Sequence, residues 1–380
     1  MGDFNRLTPN QIPELTVLGR SNGERNPLTL FWTASGFEVG YRGSELWCEF
    51  ETDYNEFEQW ISIYVNHAFL SRMMLPRGKS EVCLFRNMKI EKDNIVTVRK
   101  EVQPMPGDEK GLLQVLAFKG DGTFFRAPEH RLKLEFIGDS MTSGEGSYGA
   151  ANEMDWIAQW FSASHTYPYL VARELDAEYR IVSQSGYGLC SAWDNNPWHI
   201  IPPFYGQVCG VLEGERNEKL GAKAAYNFSE WQPDAILINL GTNDAGGFDQ
   251  PAFTDLQTGK TYRMEKNPDG TPKAESLERI YAAAVDFLQT VRQNNPEAMI
   301  FWCFGLMGEK VAAPIQKAIA DYCSKNGDKN ISYIALKEIE GDGIGARSHP
   351  SEYGHMLAAK TIVEEMRKCK LFEKAEGEAK

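Results

Sequence analysis

The chain has 380 residues, of which 42% are hydrophobic and 24% charged, with a net charge of −13. That composition allows one large globular domain or two medium ones with a real core. The acidic balance argues against nucleic acid and anionic membrane as partners, and no stretch reaches the apolar length that a membrane helix needs.

The opening residues MGDFNRLTPNQIPELTVLGR show no basic segment followed by an apolar run. A cytoplasmic location is therefore expected, or an extracellular one if a leader was removed. Residues 31–43, 44–52, 60–66, 80–87, 94–102 and 112–120 alternate apolar with polar positions between Gly, Asn and Asp turns. Short strands at that spacing predict a β-sandwich or jelly roll over residues 1–125.

The pattern changes after residues 120–131. Strands are expected at 132–138, 179–184, 234–241, 298–305 and 331–336, with helices between them. The clearest helix is 277–291, with Leu277, Ile280, Tyr281, Ala284, Phe287, Leu288 and Val291 on one face. The last, 351–369, is expected to turn Met356, Ile362, Val363 and Met366 inward. Such a β-α alternation predicts an α/β/α domain with a central parallel sheet over residues 126–375. The tail KAEGEAK is expected to fray. Seven cysteines without C-x-x-C spacing suggest unpaired thiols in a reducing compartment. They suit no zinc site.

Ligands of parallel α/β sheets bind beyond the carboxyl ends of the strands. Gly138-Asp139-Ser140 follows the first strand, SQSGYGLC (183–190) the second and LGTNDAGG (240–247) the third. GARSHPSEYGH (345–355) precedes the last helix. Serine, glycine, asparagine and histidine thus converge on one edge, which is the inventory of an acyl-transfer site.

Those four blocks, in that order, resemble the SGNH (GDSL-type) hydrolase superfamily. With an all-β domain in front, VSQSGYG and SHPSEYGH resemble carbohydrate esterase family 2, deacetylases of acetylated plant polysaccharides such as xylan and glucomannan. The resemblance covers nearly the whole chain. It implies Ser140 as nucleophile and first oxyanion donor through its own N–H, Gly186 as second donor, Asn243 as third and His349 as general base. Gly188 is the alternative to Gly186 if the register differs. It implies no metal or cofactor, and an acetylated poly- or oligosaccharide as substrate.

Other readings stay open at several positions. Asn243 could cap the helix that follows it. Asp139 and Asp244 are expected to brace loops through backbone hydrogen bonds, and His355 to be structural. His67, His130, His165 and His199 match no motif. Most members of the superfamily carry an aspartate three residues before the histidine, where this chain has Ala346. A backbone carbonyl is the expected acceptor for the imidazole; Asp342, the only nearby upstream carboxylate, would need an unusual loop to reach it.

The aromatic segment YGLCSAWDNNPWHIIPPFY (187–205) directly follows the Gly186 loop. Tyr187, Trp193, Trp198, Phe204 and Tyr205 could offer flat faces to sugar rings, or pack the loop down. Trp193 and Trp198 are the expected contacts, with Asp194, Asn195 and Asn196 offering hydroxyl-binding groups; Tyr187 and Trp302 are further candidates. The all-β part could bind glycan separately or form a wall of the cleft, since no Ser/Pro/Gly tether marks the junction. Two other functions fit the same residues: an esterase for another small acyl ester, and a glycan-binding protein with a degenerate site.

Overall fold

A computed structural model describes residues 4–369; the expected frayed tail lies outside the described residues. The chain forms two compact units, Met1–His130 with Asp155–Ser164 and Gly206–Tyr226, and Arg131–Met154 with His165–Tyr205 and Asn227–Lys380. Two segments beyond the expected boundary near residue 125 thus group with the first unit.

The first unit is built of antiparallel strands, as the alternating pattern demands. One sheet runs Asn5–Leu7, Leu112–Gly120, Leu46–Asp53, Gly78–Phe85, with Leu28–Thr29 added to Leu112–Gly120. The other runs Thr123–Phe125, Gly36–Arg42, Asp93–Lys100, Gln59–Val65, Ala68–Leu75, with Thr16–Leu18 added to Gly36–Arg42. Inward residues of both sheets form one core, in which Phe37 of one sheet meets Phe118 of the other edge to face at 4.9 Å. This is a jelly-roll-like sandwich.

Ala68–Leu75 is a strand that the sequence pattern did not announce. It lies at a sheet edge with Phe69, Leu70 and Met74 exposed, so burial imposes no alternation on it. The turn before it uses Asn66 and His67, both at positive φ (53° and 63°), where an Asn-Gly pair would be the recognisable signal.

The second unit carries the parallel sheet. Its strands are β1 (Leu132–Gly138), β2 (Ala177–Ser183), β3 (Ala235–Asn239), β4 (Met299–Phe304) and β5 (Ile331–Ala335). They are ordered β2-β1-β3-β4-β5, every pair parallel. Consecutive residues of β3 are all buried, which means both faces of the sheet are covered. The helices are α1 (Ser140–Ser143), α2 (Tyr167–Glu174), α3 (Thr242–Gly247), α4 (Ala274–Asn294), α5 (Ala312–Asn326) and α6 (Glu352–Met366). α2 packs with α6 and α4 with α5. Gly138 at the end of β1 pairs with Ser183 of β2 and Asn239 of β3. The connections from β1 and β3 diverge there, which opens a crevice at their carboxyl ends.

α4 buries Ile280, Ala284, Phe287, Leu288 and Val291, with Leu277 and Tyr281 half-buried at its margin. In α6 the expected inward stripe is corrected by one residue. Met356 is 48% exposed, whereas His355, Ala359, Ile362 and Met366 are buried. Their spacing of four, three and four keeps one face, and Met356 lies off it. Among the described residues no helix is long and apolar enough to cross a membrane.

Candidate active site

The first strand hands over to the site through Asp139. Its carboxylate Oδ1 accepts the Met141 N–H at 3.1 Å and caps α1. Ser140, the first residue of α1, is 5% exposed. Complete burial pushes the Asp139 carboxyl up to about 8, with the neighbouring Asp244 and Glu145 charges adding in the same direction.

Ser140 Oγ lies 2.8 Å from Nε2 of His349. On the other side of the ring, Nδ1 lies 2.8 Å from the backbone carbonyl of Arg347. A carbonyl oxygen can only accept, so Nδ1 carries the proton and Nε2 turns its lone pair to the serine hydroxyl. The carbonyl is therefore the acceptor at this histidine. Asp342 is exposed in the turn Gly341–Gly343, where its own carbonyl accepts from Ser351 Oγ. Ala346 is buried, and its carbonyl accepts the His349 N–H.

The turn that aims the Arg347 carbonyl is strained. Arg347 (φ 57°) and Ser348 (φ 59°) are both left-handed, a conformation that costs a non-glycine residue roughly 1–2 kcal/mol. Arg347 is tied down on three sides. Its N–H donates to Glu153 (2.7 Å), its Nη1 to the Met154 carbonyl (2.8 Å), and its Nε to Glu145 (2.6 Å).

Asn243 stands in the first turn of α3 and is 8% exposed. One N–H of its amide donates to the Tyr187 carbonyl at 2.8 Å, which orients the amide plane and leaves the second N–H for a ligand. Asp244 beside it accepts the N–H groups of Leu189, Cys190 and Ser191 at 2.7–2.9 Å, so it braces the loop after β2. In that loop Gly186 has φ 78°, which favours glycine, and a Cβ there would sit 3.1 Å from Trp193. Gly188 differs: its N–H donates to the His199 carbonyl, and a Cβ would fall 1.8 Å from the Ser191 carbonyl. Its N–H is thus committed to loop structure.

Residues 134–362, from β1 into α6, match the model of the GDSL-like lipase/acylhydrolase family. The chain belongs to this family. It is 41% identical to the acetyl xylan esterase Est2A of the rumen bacterium Butyrivibrio proteoclasticus, with a TM-score of 0.94 over 97% of this chain and 98% of that one. It is 24% identical to an acetylxylan esterase/glucomannan deacetylase of Cellvibrio japonicus, over 93% of this chain and 88% of that protein. It is also 24% identical to the cellulase/esterase CelE of Acetivibrio thermocellus over 88% of this chain, and spans 37% of that protein's length.

The aromatic segment of the chain divides into exposed and structural residues. Trp193 and Trp198 are 51% and 50% exposed. Trp193 lies against Gly186 and Gly246, and Trp198 meets Phe253 and Tyr262 edge to face at 5.7 and 5.6 Å. Tyr187 is corrected: it is 6% exposed and stacked on His199 at 4.9 Å, so its ring is covered. Trp302 is corrected as well. It is fully buried in β4, and its indole N–H donates to the Leu240 carbonyl at 3.1 Å. Tyr205 is likewise buried, and its hydroxyl donates to Glu135 at 2.8 Å.

The amides expected to meet sugar hydroxyls are instead spent on the loop. Asn195 donates to the Gly247 and Pro251 carbonyls and accepts the Met264 N–H, and Asn196 accepts the Trp198 N–H. His355 is buried under α2, where Nδ1 accepts the Tyr167 N–H at 3.3 Å. Burial pushes its imidazole down to about 3, with the neighbouring His349 and His165 adding to the effect. All seven cysteines are unpaired. Among the described residues no three His, Cys, Asp or Glu side chains are grouped so that they could hold a metal ion.

Sequence reasoning missed Glu145 and Arg347. Glu145 is buried five residues beyond Ser140, and its Oε2 lies 3.9 Å from His349 Nε2. The available signal was an acidic residue between two glycines inside the nucleophile block.

Proposed function

We propose that this protein is a serine O-acetyl esterase that deacetylates plant polysaccharides such as glucomannan or xylan, or oligosaccharides derived from them. The observation that carries the reading is the relay from Ser140 Oγ to His349 Nε2 and from Nδ1 to the Arg347 carbonyl, each step 2.8 Å. Ser140 Oγ attacks the acetyl carbonyl carbon while its proton passes to Nε2. The N–H groups of Ser140 and Gly186 and the second amide N–H of Asn243 hold the oxyanion. Collapse expels the sugar hydroxyl, which takes the proton back from Nε2 and leaves an acetyl-enzyme. Water, deprotonated by His349, then releases acetate. Trp193, at the Gly186 loop, and Trp198 are the proposed sugar platforms.

Family membership with an acetyl xylan esterase at 41% identity supports the substrate class. The test is to label the protein with an organophosphonate and to measure aryl esters of increasing acyl length. The expected result is one label per chain, lost in Ser140→Ala, with activity falling steeply beyond acetate. Glycan binding without labelling would contradict the reading.

A further inference from the structure

We propose that Glu145 and Arg347 form the positioning unit of the Ser140–His349 pair, the nucleophile loop supplying a carboxylate that holds the Arg347 carbonyl against the imidazole. The inference rests on the esterase reading of that pair.

Three observations carry it. The first is that the carbonyl that receives the His349 Nδ1–H belongs to a residue in a conformation it does not favour. Arg347 (φ 57°, ψ 27°) and Ser348 (φ 59°) must both stay left-handed for that carbonyl to turn back to the ring. A strained turn persists only where its surroundings over-determine it. The second is the ion pair. Glu145 has a 3% exposed side chain, and its Oε1 takes the Arg347 Nε at 2.6 Å. The Arg347 side chain is 30% exposed while the carboxylate is buried, so breaking the pair strands the carboxylate rather than the guanidinium. The third is that the other oxygen of the same carboxylate, Oε2, lies 3.9 Å from His349 Nε2, the atom that takes the serine proton. Glu145 therefore faces the positive charge that develops on the ring.

The two loops are laced together around this pair. The Glu145 N–H donates to the Ser140 carbonyl at 3.0 Å, and the Ala346 N–H to the Gly146 carbonyl at 3.1 Å. A Cβ on Gly146 would meet the Ala346 carbonyl at 2.3 Å and the His349 Cβ at 2.7 Å, so the approach admits only glycine. Movement of Glu145 is thereby coupled to serine and histidine together.

The test measures kcat and KM on an aryl acetate for wild type, Glu145→Gln, Arg347→Ala, Arg347→Lys and the Glu145→Gln/Arg347→Ala double variant. Activity is normalised to phosphonate-titrated sites, and Tm is recorded beside it. The expected result is a kcat about tenfold to a hundredfold lower in each single removal, the scale of a misplaced catalytic group. KM is expected to stay within twofold, the double variant to be no worse than the poorer single one, and Arg347→Lys to recover part of the loss. A merely structural ion pair would lower Tm and leave kcat per titrated site within twofold, and that result would overturn the proposal. If Glu145→Gln does not fold, Arg347→Ala and Arg347→Lys decide on the same readout. An unlabelled, inactive wild type would sink the esterase reading and this inference with it; an active wild type with unchanged variants sinks this inference alone.

Discussion

The imidazole of His349 gives its Nδ1–H to the backbone carbonyl of Arg347, 2.8 Å away. A backbone acceptor survives any side-chain substitution that preserves the turn. Substituting Ser140 or His349 by alanine is expected to lower kcat by roughly 10⁴- to 10⁶-fold, the scale seen when a nucleophile or its base is removed. Asp342→Ala is expected to leave kcat within twofold, because that side chain is exposed and its backbone serves Ser351. Steady-state kinetics on an aryl acetate checks all three.

The two glycines of the loop after β2 are expected to respond differently. Gly186→Ala strains a φ of 78° and presses on Trp193 at 3.1 Å, so kcat should fall with a modest loss of Tm. Gly188→Ala drives a methyl to 1.8 Å from the Ser191 carbonyl and should chiefly destabilise the fold. Asn243→Ala removes a side-chain donor, and a loss of about 10²–10³ in turnover is expected. Thermal melts run beside kinetics separate these outcomes.

Three tryptophans separate by burial. Trp193→Ala and Trp198→Ala are expected to raise KM for acetylated polymer while leaving aryl acetate hydrolysis nearly unchanged. Trp302→Ala is expected to cost about 3–5 kcal/mol of stability, the usual range for emptying a buried aromatic site. Denaturant titration of all three variants, with kinetics on both substrates, tests the division.

His355 makes stability depend on pH. Its folded-state value is pushed down to about 3, below the ordinary histidine value of 6.5, so the unfolded chain binds the extra proton first. The stabilisation is present above pH 6.5 and is lost progressively as pH falls from there toward 3. His355→Gln keeps an acceptor for the Tyr167 N–H and does not titrate. Tm measured from pH 7 to pH 4 is expected to fall less steeply in the variant than in wild type.

The strand-end residues were legible because their chemistry is tied to strand boundaries. A buried run ends, a small residue follows, and the side chain after it stands at the sheet rim. Ser140, Gly186 and Asn243 stand out as candidates in that way; His349 does not, because it lies in the turn before α6, well beyond the end of β5. Trp302 misled because sequence distance from a strand end does not say which face a residue takes, and its indole faces the core. Tyr187 misled because a flat ring is equally suited to a sugar or to His199. Met356 misled because the buried face of α6 continues through His355, a polar type that an apolar stripe passes over.

The support of His349 was harder to read. Ala346 announced that a carboxylate was missing. Nothing in the run Arg347-Ser348 announces two left-handed residues, since neither type favours that conformation. Glu145 lies 202 positions from Arg347, and their pairing is a product of the fold. A charge between glycines suggests a solvated loop until the loop is seen to close.

The most direct measurement is acetate release from acetylated glucomannan and from acetylated xylan, by wild type and by Ser140→Ala. The account predicts that wild type releases acetate from at least one polymer and that the variant, folded to the same extent, releases none above background. Acetate release that persists in Ser140→Ala, or glycan binding by both proteins with release by neither, would contradict it.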